Sequence, residues 1–158
     1  RLAPSACNSQ TWRFITVTDR VLRERLCREG MRAVVDNPWL LNAPVIMVCC
    51  SELDFKANTL GRAISHIDYY QIDLGIAVEH MVLKATELGL STCWIGWFNA
   101  KKVKAILDIP RRIKVSALLP VGYAADSTIR DKIRKPMEQI LFSEKWTGTF
   151  QKGEARTD

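Results

Sequence analysis

Apolar positions along the chain change period several times, and each change marks an element. Arg13-Phe-Ile-Thr-Val-Thr18 carries the β-branched and aromatic side chains of a strand. Asp19 then offers a carboxylate to cap a helix from about Val21 to Glu29, which Gly30 ends. Pro44-Val-Ile-Met-Val-Cys-Cys50 is continuously apolar, the pattern of a central strand covered by helices on both faces. The next pattern predicts a long helix over about Ile67–Leu88, stopped by Gly89 in a left-handed cap. Within it Asp73, His80, Lys84 and Glu87 follow one another at offsets of seven, four and three, one polar stripe. Ile72, Leu74, Val78, Met81, Leu83 and Leu88 spread over most of the remaining circumference. A helix apolar on so many sides is buried on several, either at the core of the domain or against a second subunit.

Ser91-Thr-Cys-Trp-Ile95 reads as a further strand ended by Gly96. Asn99 caps a short helix whose Ala100, Val103, Ile106 and Leu107 form an apolar stripe before Pro110, and Val115–Val121 is a strand broken by Gly122. Val34–Leu41 has no assignable pattern, because Asn37-Pro38 interrupts it. Asp54–His66 reads as a mobile loop or short helix. The order of elements predicts an α+β layer sandwich, with helices flanking a mixed sheet. One domain spans residues 1–158, its polar stretch 124–158 forming an extended C-terminal arm.

Composition narrows the chemistry. A chain of 158 residues with 47% apolar content can bury a sizeable core. The net charge of +6 is spread among acidic residues rather than interleaved with aromatics, which excludes a nucleic-acid platform. The longest apolar run, Ala43–Cys50, is eight residues, too short for a membrane span. Five cysteines, odd in number and mostly in apolar stretches, argue for a reducing, cytoplasmic setting. Cys49 and Cys50 should point to opposite faces of their strand, and Cys93 should serve packing. Two histidines fourteen residues apart give no metal-ligand spacing, and no Gly-x-Ser-x-Gly, Gly-x-Gly-x-x-Gly or Walker motif is present.

Three segments remain as candidates for ligand chemistry. Pro4-Ser-Ala-Cys-Asn-Ser-Gln10 offers hydroxyl and amide groups for the edge of a heteroaromatic ring, or is an ordinary turn. Thr92-Cys-Trp-Ile-Gly-Trp-Phe98 lets backbone approach a planar ligand at Gly96 between aromatics, or is core. Lys132-Ile-Arg134-Lys135 presents alternating basic side chains suited to phosphate, or is a solvated tail.

Pro4-Ser-Ala-Cys-Asn-Ser-Gln-Thr-Trp-Arg-Phe14 resembles the Pro-Ser-x-x-Asn-Ser-Gln-Pro-Trp-x-Phe signature of the FMN-dependent nitroreductase family. The resemblance extends in order through Tyr69-Tyr70-x-x-Asp73, Ala85–Leu90, Thr92–Gly96, Leu119-Pro-Val-Gly122 and Arg134-Lys-Pro136, covering about residues 1–146. It implies a nitroreductase-like three-layer sandwich with a mainly antiparallel sheet. It also implies a homodimer with the long helix at its interface and two FMN sites built from both chains. Pro4, Ser5, Ala6 and Asn8 would then contact the flavin from one subunit. Trp94, Ile95, Gly96 and Trp97 would pass along the ring, and Lys132 and Arg134 would hold the phosphate. Enzymes of this family take a hydride from NADH or NADPH onto FMN and then reduce a small-molecule acceptor such as a nitroaromatic or quinone. The flavin carries the redox chemistry, so the resemblance implies no catalytic side chain and no metal. A non-enzymatic flavin- or nucleotide-binding module that kept the fold is the alternative.

The sequence departs from the family pattern in three ways. It lacks an Arg-x-Ser-x-Arg element before the first signature, and its opening Arg1-Leu2-Ala3 reads as the tail of a helix whose first part is missing. Thr11 stands where the signature has Pro. Cys7 stands where Gly is common, which matters if that backbone needs a positive φ.

Overall fold

In the computed structural model, residues 1–31, 37–53, 58, 61–126 and 132–146 are described, and the β-branched run after the first loop forms β1 (Trp12–Val17). Asp19 accepts a 2.8 Å hydrogen bond from the Leu22 N–H and so starts α1 (Arg20–Glu29). The apolar run forms β2 (Val45–Ser51), preceded by a 3₁₀ turn at Pro38–Asn42. Residues 32–36, of which 34–36 belong to the unassigned stretch, and 54–57 and 59–60 of the expected loop lie outside the described residues; Gly61–Ser65 form α2. The long helix is α3 (Tyr69–Glu87). Gly89, at φ 74°, closes it: its N–H donates to the Thr86 carbonyl and the Leu90 N–H to the Ala85 carbonyl.

The strand expected over Ser91–Ile95 is shorter. Only Ser91–Thr92 forms β3, and the chain touches the sheet again at a lone bridge between Ile95 and Leu118. Asn99 caps α4 (Ala100–Ile106), its side-chain oxygen accepting from the Lys102 N–H, and β4 (Lys114–Gly122) completes the sheet. The strand order is β1-β2-β4-β3, and every described pairing is antiparallel where the sequence pattern allowed a mixed sheet. Both long neighbours of β2 are reached through reversals of direction, so no parallel pair arises among them.

Alternation along β2 divides the core. Ile46, Val48 and Cys50 join Leu26 of α1, Val103 and Ile106 of α4 and Leu118 of β4 on one face. Cys49 joins Leu74 and Val78 of α3 with Ala117 and Leu119 of β4 on the other. The result is three layers: α1 and α4, the sheet, and α3. Desolvation pushes the Cys49 thiol up to about 12, with some help from Cys50 beside it, and pushes Cys50 up to about 11. These two behave as small hydrophobes. Cys93, expected to pack, is exposed instead, because the chain has left the sheet after Thr92.

The described chain divides into two compact units, Arg1–Ala125 and Asp126–Asp158. In the second unit Met137–Gln139 form a 3₁₀ turn, and the rings of Phe142 and Trp146 meet with centroids 4.5 Å apart. Among the described residues no helix is long and apolar enough to cross a membrane.

Candidate functional site

The first loop is built from unusual backbone. Ser5 is extended, Ala6–Asn8 make one 3₁₀ turn, and Cys7, Asn8 and Gln10 are left-handed at φ 52°, 53° and 46°. Asn tolerates that region, whereas Cys and Gln occupy it at a cost. Local hydrogen bonds hold the turn: the Gln10 N–H donates to Ser5 Oγ at 3.0 Å, and Gln10 Nε2 donates to Asn8 Oδ1 at 3.1 Å. The departure at Cys7 therefore matters. Cys7→Gly should raise stability by about 1 kcal/mol, seen as a thermal midpoint roughly 2–4 °C higher, since glycine adopts this backbone without steric penalty. An unchanged or lowered midpoint would show that the turn carries no such strain.

One long-range bond joins the loop to the body of the domain. The Ala6 N–H donates to Asp73 Oδ1 at 3.0 Å, from the first loop to the second turn of α3. Asp73 is 4% exposed. The polar stripe it shares with His80, Lys84 and Glu87 is thus not uniform: those three are exposed, but the first loop covers the N-terminal end of the helix. Burial raises the Asp73 carboxyl above its usual range, and the Ala6 N–H partly opposes this. Its contribution to stability is therefore fullest below the unfolded carboxylate value of about 3.9 and is lost as pH rises through the raised folded value. Asp73 falls in the family-like pattern Tyr69-Tyr70-x-x-Asp73, but a long-range contact of this kind has no signature in spacing.

The second segment is hung from β4. Both backbone groups of Ile95 pair with Leu118, N–H to carbonyl at 2.9 Å and carbonyl to N–H at 3.0 Å, and its side chain is buried in the core. Ile95 is thus the anchor of the segment rather than its ligand-facing part. On either side Trp94 and Trp97 are exposed, and a Cβ built on Gly96 would meet nothing within 4 Å. An open ledge of backbone therefore lies between two exposed indoles. Trp94 also lines a cavity of about 410 Å³ with Tyr70, Gln71 and Leu74 of α3 and Lys114 of β4.

Each predicted site residue can thus be placed. Pro4 and Asn8 are exposed and Ser5 and Ala6 half-buried in the loop held by α3, while Trp94, Gly96 and Trp97 stand out from the segment held by β4. Both sets belong to the first unit. Lys132 and Arg134 are exposed in the second unit, where Arg134 Nη1 donates to the Ile133 carbonyl at 3.2 Å.

Comparison with known proteins decides the family. The model of the nitroreductase family matches residues 28–123, which include β2, α3, the Gly96 ledge and β4. The chain belongs to the nitroreductase family. A solved nitroreductase family protein from Clostridium novyi NT is 33% identical, with a TM-score of 0.70 over 82% of this chain and 70% of that one. Among curated relatives, an FMN reductase [NAD(P)H] from Bacillus subtilis is 26% identical over 155 residues, covering 90% of this chain and 60% of the relative. An iodotyrosine dehalogenase 1 homolog from Caenorhabditis elegans is 28% identical over 163 residues, covering 87% and 50%. The chain thus spans between half and two thirds of the length of these two curated relatives. The α+β fold described above is the fold it shares with the solved member of that family.

Proposed function

We propose that this nitroreductase family chain binds FMN and uses NADH or NADPH to reduce a small-molecule acceptor such as a nitroaromatic or a quinone. The observation that carries the reading is the Gly96 ledge: exposed backbone, open space where a Cβ would stand, and exposed indoles on either side in sequence. A flat ring needs such a surface. Donor chemistry fits as well, since Ser5 and Asn8 carry the hydroxyl and amide that suit a ring edge, and Lys132 and Arg134 carry the charge that suits a phosphate. FMN, when bound, supplies the hydride chemistry, so the protein's own work is to orient it and keep water away. The relative named as an FMN reductase supports the same cofactor.

The chain works as a homodimer in a reducing cytoplasm on this reading. Ile72 and Leu83, eleven residues apart on one side of α3, are more than half exposed in the single chain, an apolar face that a second copy would cover. The five cysteines are unpaired, in keeping with a reducing compartment. A halogenated aromatic is a second acceptor class, favoured by the relative named as an iodotyrosine dehalogenase homolog.

The test is anaerobic. Protein loaded with FMN should bleach on addition of NADH or NADPH and regain its colour with a nitroaromatic or quinone. Halide release from an iodinated phenol in the same cuvette separates the second acceptor class. FMN that binds but does not bleach would leave a flavin-binding module without enzymatic activity, and protein that takes up no FMN would overturn the reading.

A further inference from the structure

We propose that Asp73 is the positioning residue that sets the first loop for the flavin. The inference rests on the FMN reading above and adds a residue to it. Three observations converge. The loop Pro4–Asn8 has Cys7 and Asn8 in the left-handed region, a conformation that persists only where its surroundings hold it. The bonds Gln10 makes to Ser5 and Asn8 are local and exposed, so they shape the turn without fixing where it lies on the domain. The Ala6 N–H to Asp73 Oδ1 bond spans 67 residues and reaches a carboxylate that is almost wholly buried.

A buried acid is costly, and a site serving only to pack α3 would be better filled by an apolar side chain. The second carboxylate oxygen, Oδ2, is buried with no hydrogen-bond partner, so the acid is not kept for a saturated polar network. The bond to Ala6 is the one described hydrogen bond of this side chain. It lies in the middle of the four loop residues expected at the ring, between Ser5 on one side and Asn8 on the other. Asp73 therefore acts through the loop and not on the flavin: it holds the Ala6 N–H and so fixes on the domain a turn whose Ser5 and Asn8 side chains are already set by Gln10.

The proposal is tested in the full-length chain with Asp73→Leu and Asp73→Asn. Leucine keeps the branched four-atom shape, with somewhat larger methyl groups, and removes the acceptor, while asparagine keeps an acceptor oxygen at the same place. Amide hydrogen exchange at Ala6, measured without FMN, should quicken by about 10- to 100-fold in the leucine variant, the range expected for one lost hydrogen bond to a charged group, and return toward wild type in the asparagine variant. FMN affinity, read by quenching of flavin fluorescence, should fall by a similar factor with leucine and recover with asparagine. Ala6 exchange that is equally slow in the leucine variant overturns the proposal, whatever FMN does. A quickened loop with unchanged FMN affinity also overturns it, because the loop would then be positioned for something else. Wild-type protein that shows the Ala6 protection but no FMN binding removes the FMN reading, and the positioning role toward the flavin falls with it. A leucine variant without native far-ultraviolet dichroism leaves the asparagine variant to decide: slow Ala6 exchange and wild-type FMN affinity support the proposal, and loss of either defeats it.

Discussion

Replacing both Lys132 and Arg134 by alanine is expected to weaken FMN binding by about two to four orders of magnitude while leaving riboflavin binding unchanged. Each side chain offers a charge-assisted hydrogen bond to phosphate, worth about 1.5–3 kcal/mol, and a loss of about 1.4 kcal/mol is tenfold in affinity. Riboflavin has the ring and ribityl chain but no phosphate, so it reports everything except that contact. Both side chains are exposed, as is Ile133 between them, so the substitutions remove no packing. Equilibrium titration of the two ligands against the double variant is the measurement. Equal losses for FMN and riboflavin would show that this segment is not the phosphate site. A steep fall of FMN affinity between low and high salt in the wild type, absent from the variant, would locate the charge at these positions.

Gly96→Val is expected to abolish flavin seating in a protein that still folds. The backbone there is not left-handed, and a Cβ meets open space, so valine brings neither strain nor clash to the free protein. Restricting the unfolded chain should even raise the thermal midpoint slightly. With flavin the same side chain stands where the ring would lie, and a ring lifted off its ledge loses its contacts together. A fall of about 100-fold or more in FMN affinity, close to 3 kcal/mol, is the expected result, with Gly96→Ala intermediate. Flavin content equal to wild type in the valine variant would remove this segment from the site.

Much of the fold was legible because it rests on local signals. Asp19 and Asn99 are caps whose side chains bond backbone three residues on, and Gly89 adopts the left-handed closure its position implies. The unbroken apolar run of β2 reads as a strand between two layers because both of its faces are covered. What could not be read was long-range. Asp73 lies at the angular position of a solvated stripe, and only a loop more than sixty residues away in sequence buries it. Ser91–Ile95 has strand-like composition, yet the chain leaves the sheet after Thr92 and returns only at Ile95. The Gly96 ledge was legible as glycine between aromatics, but its openness is a property of how Ile95 is pinned to Leu118. The left-handed turn at Cys7 contradicts residue preference and was visible only as a departure from a family pattern.

The tight junction between α3 and β3 constrains how this sequence can diverge. The helix closes on Gly89 and the strand starts at Ser91, so Leu90 alone separates them, and its N–H is spent on the helix cap. Each residue added to the helix would turn the outgoing chain by about 100° and push it about 1.5 Å along the axis, carrying Trp94 and its neighbours off register with β4. Insertions and deletions should therefore be purged from Ala85–Leu90 and accumulate elsewhere in natural variants. In a library of random single-codon insertions, selected for retained flavin colour, that stretch should stand out as a gap.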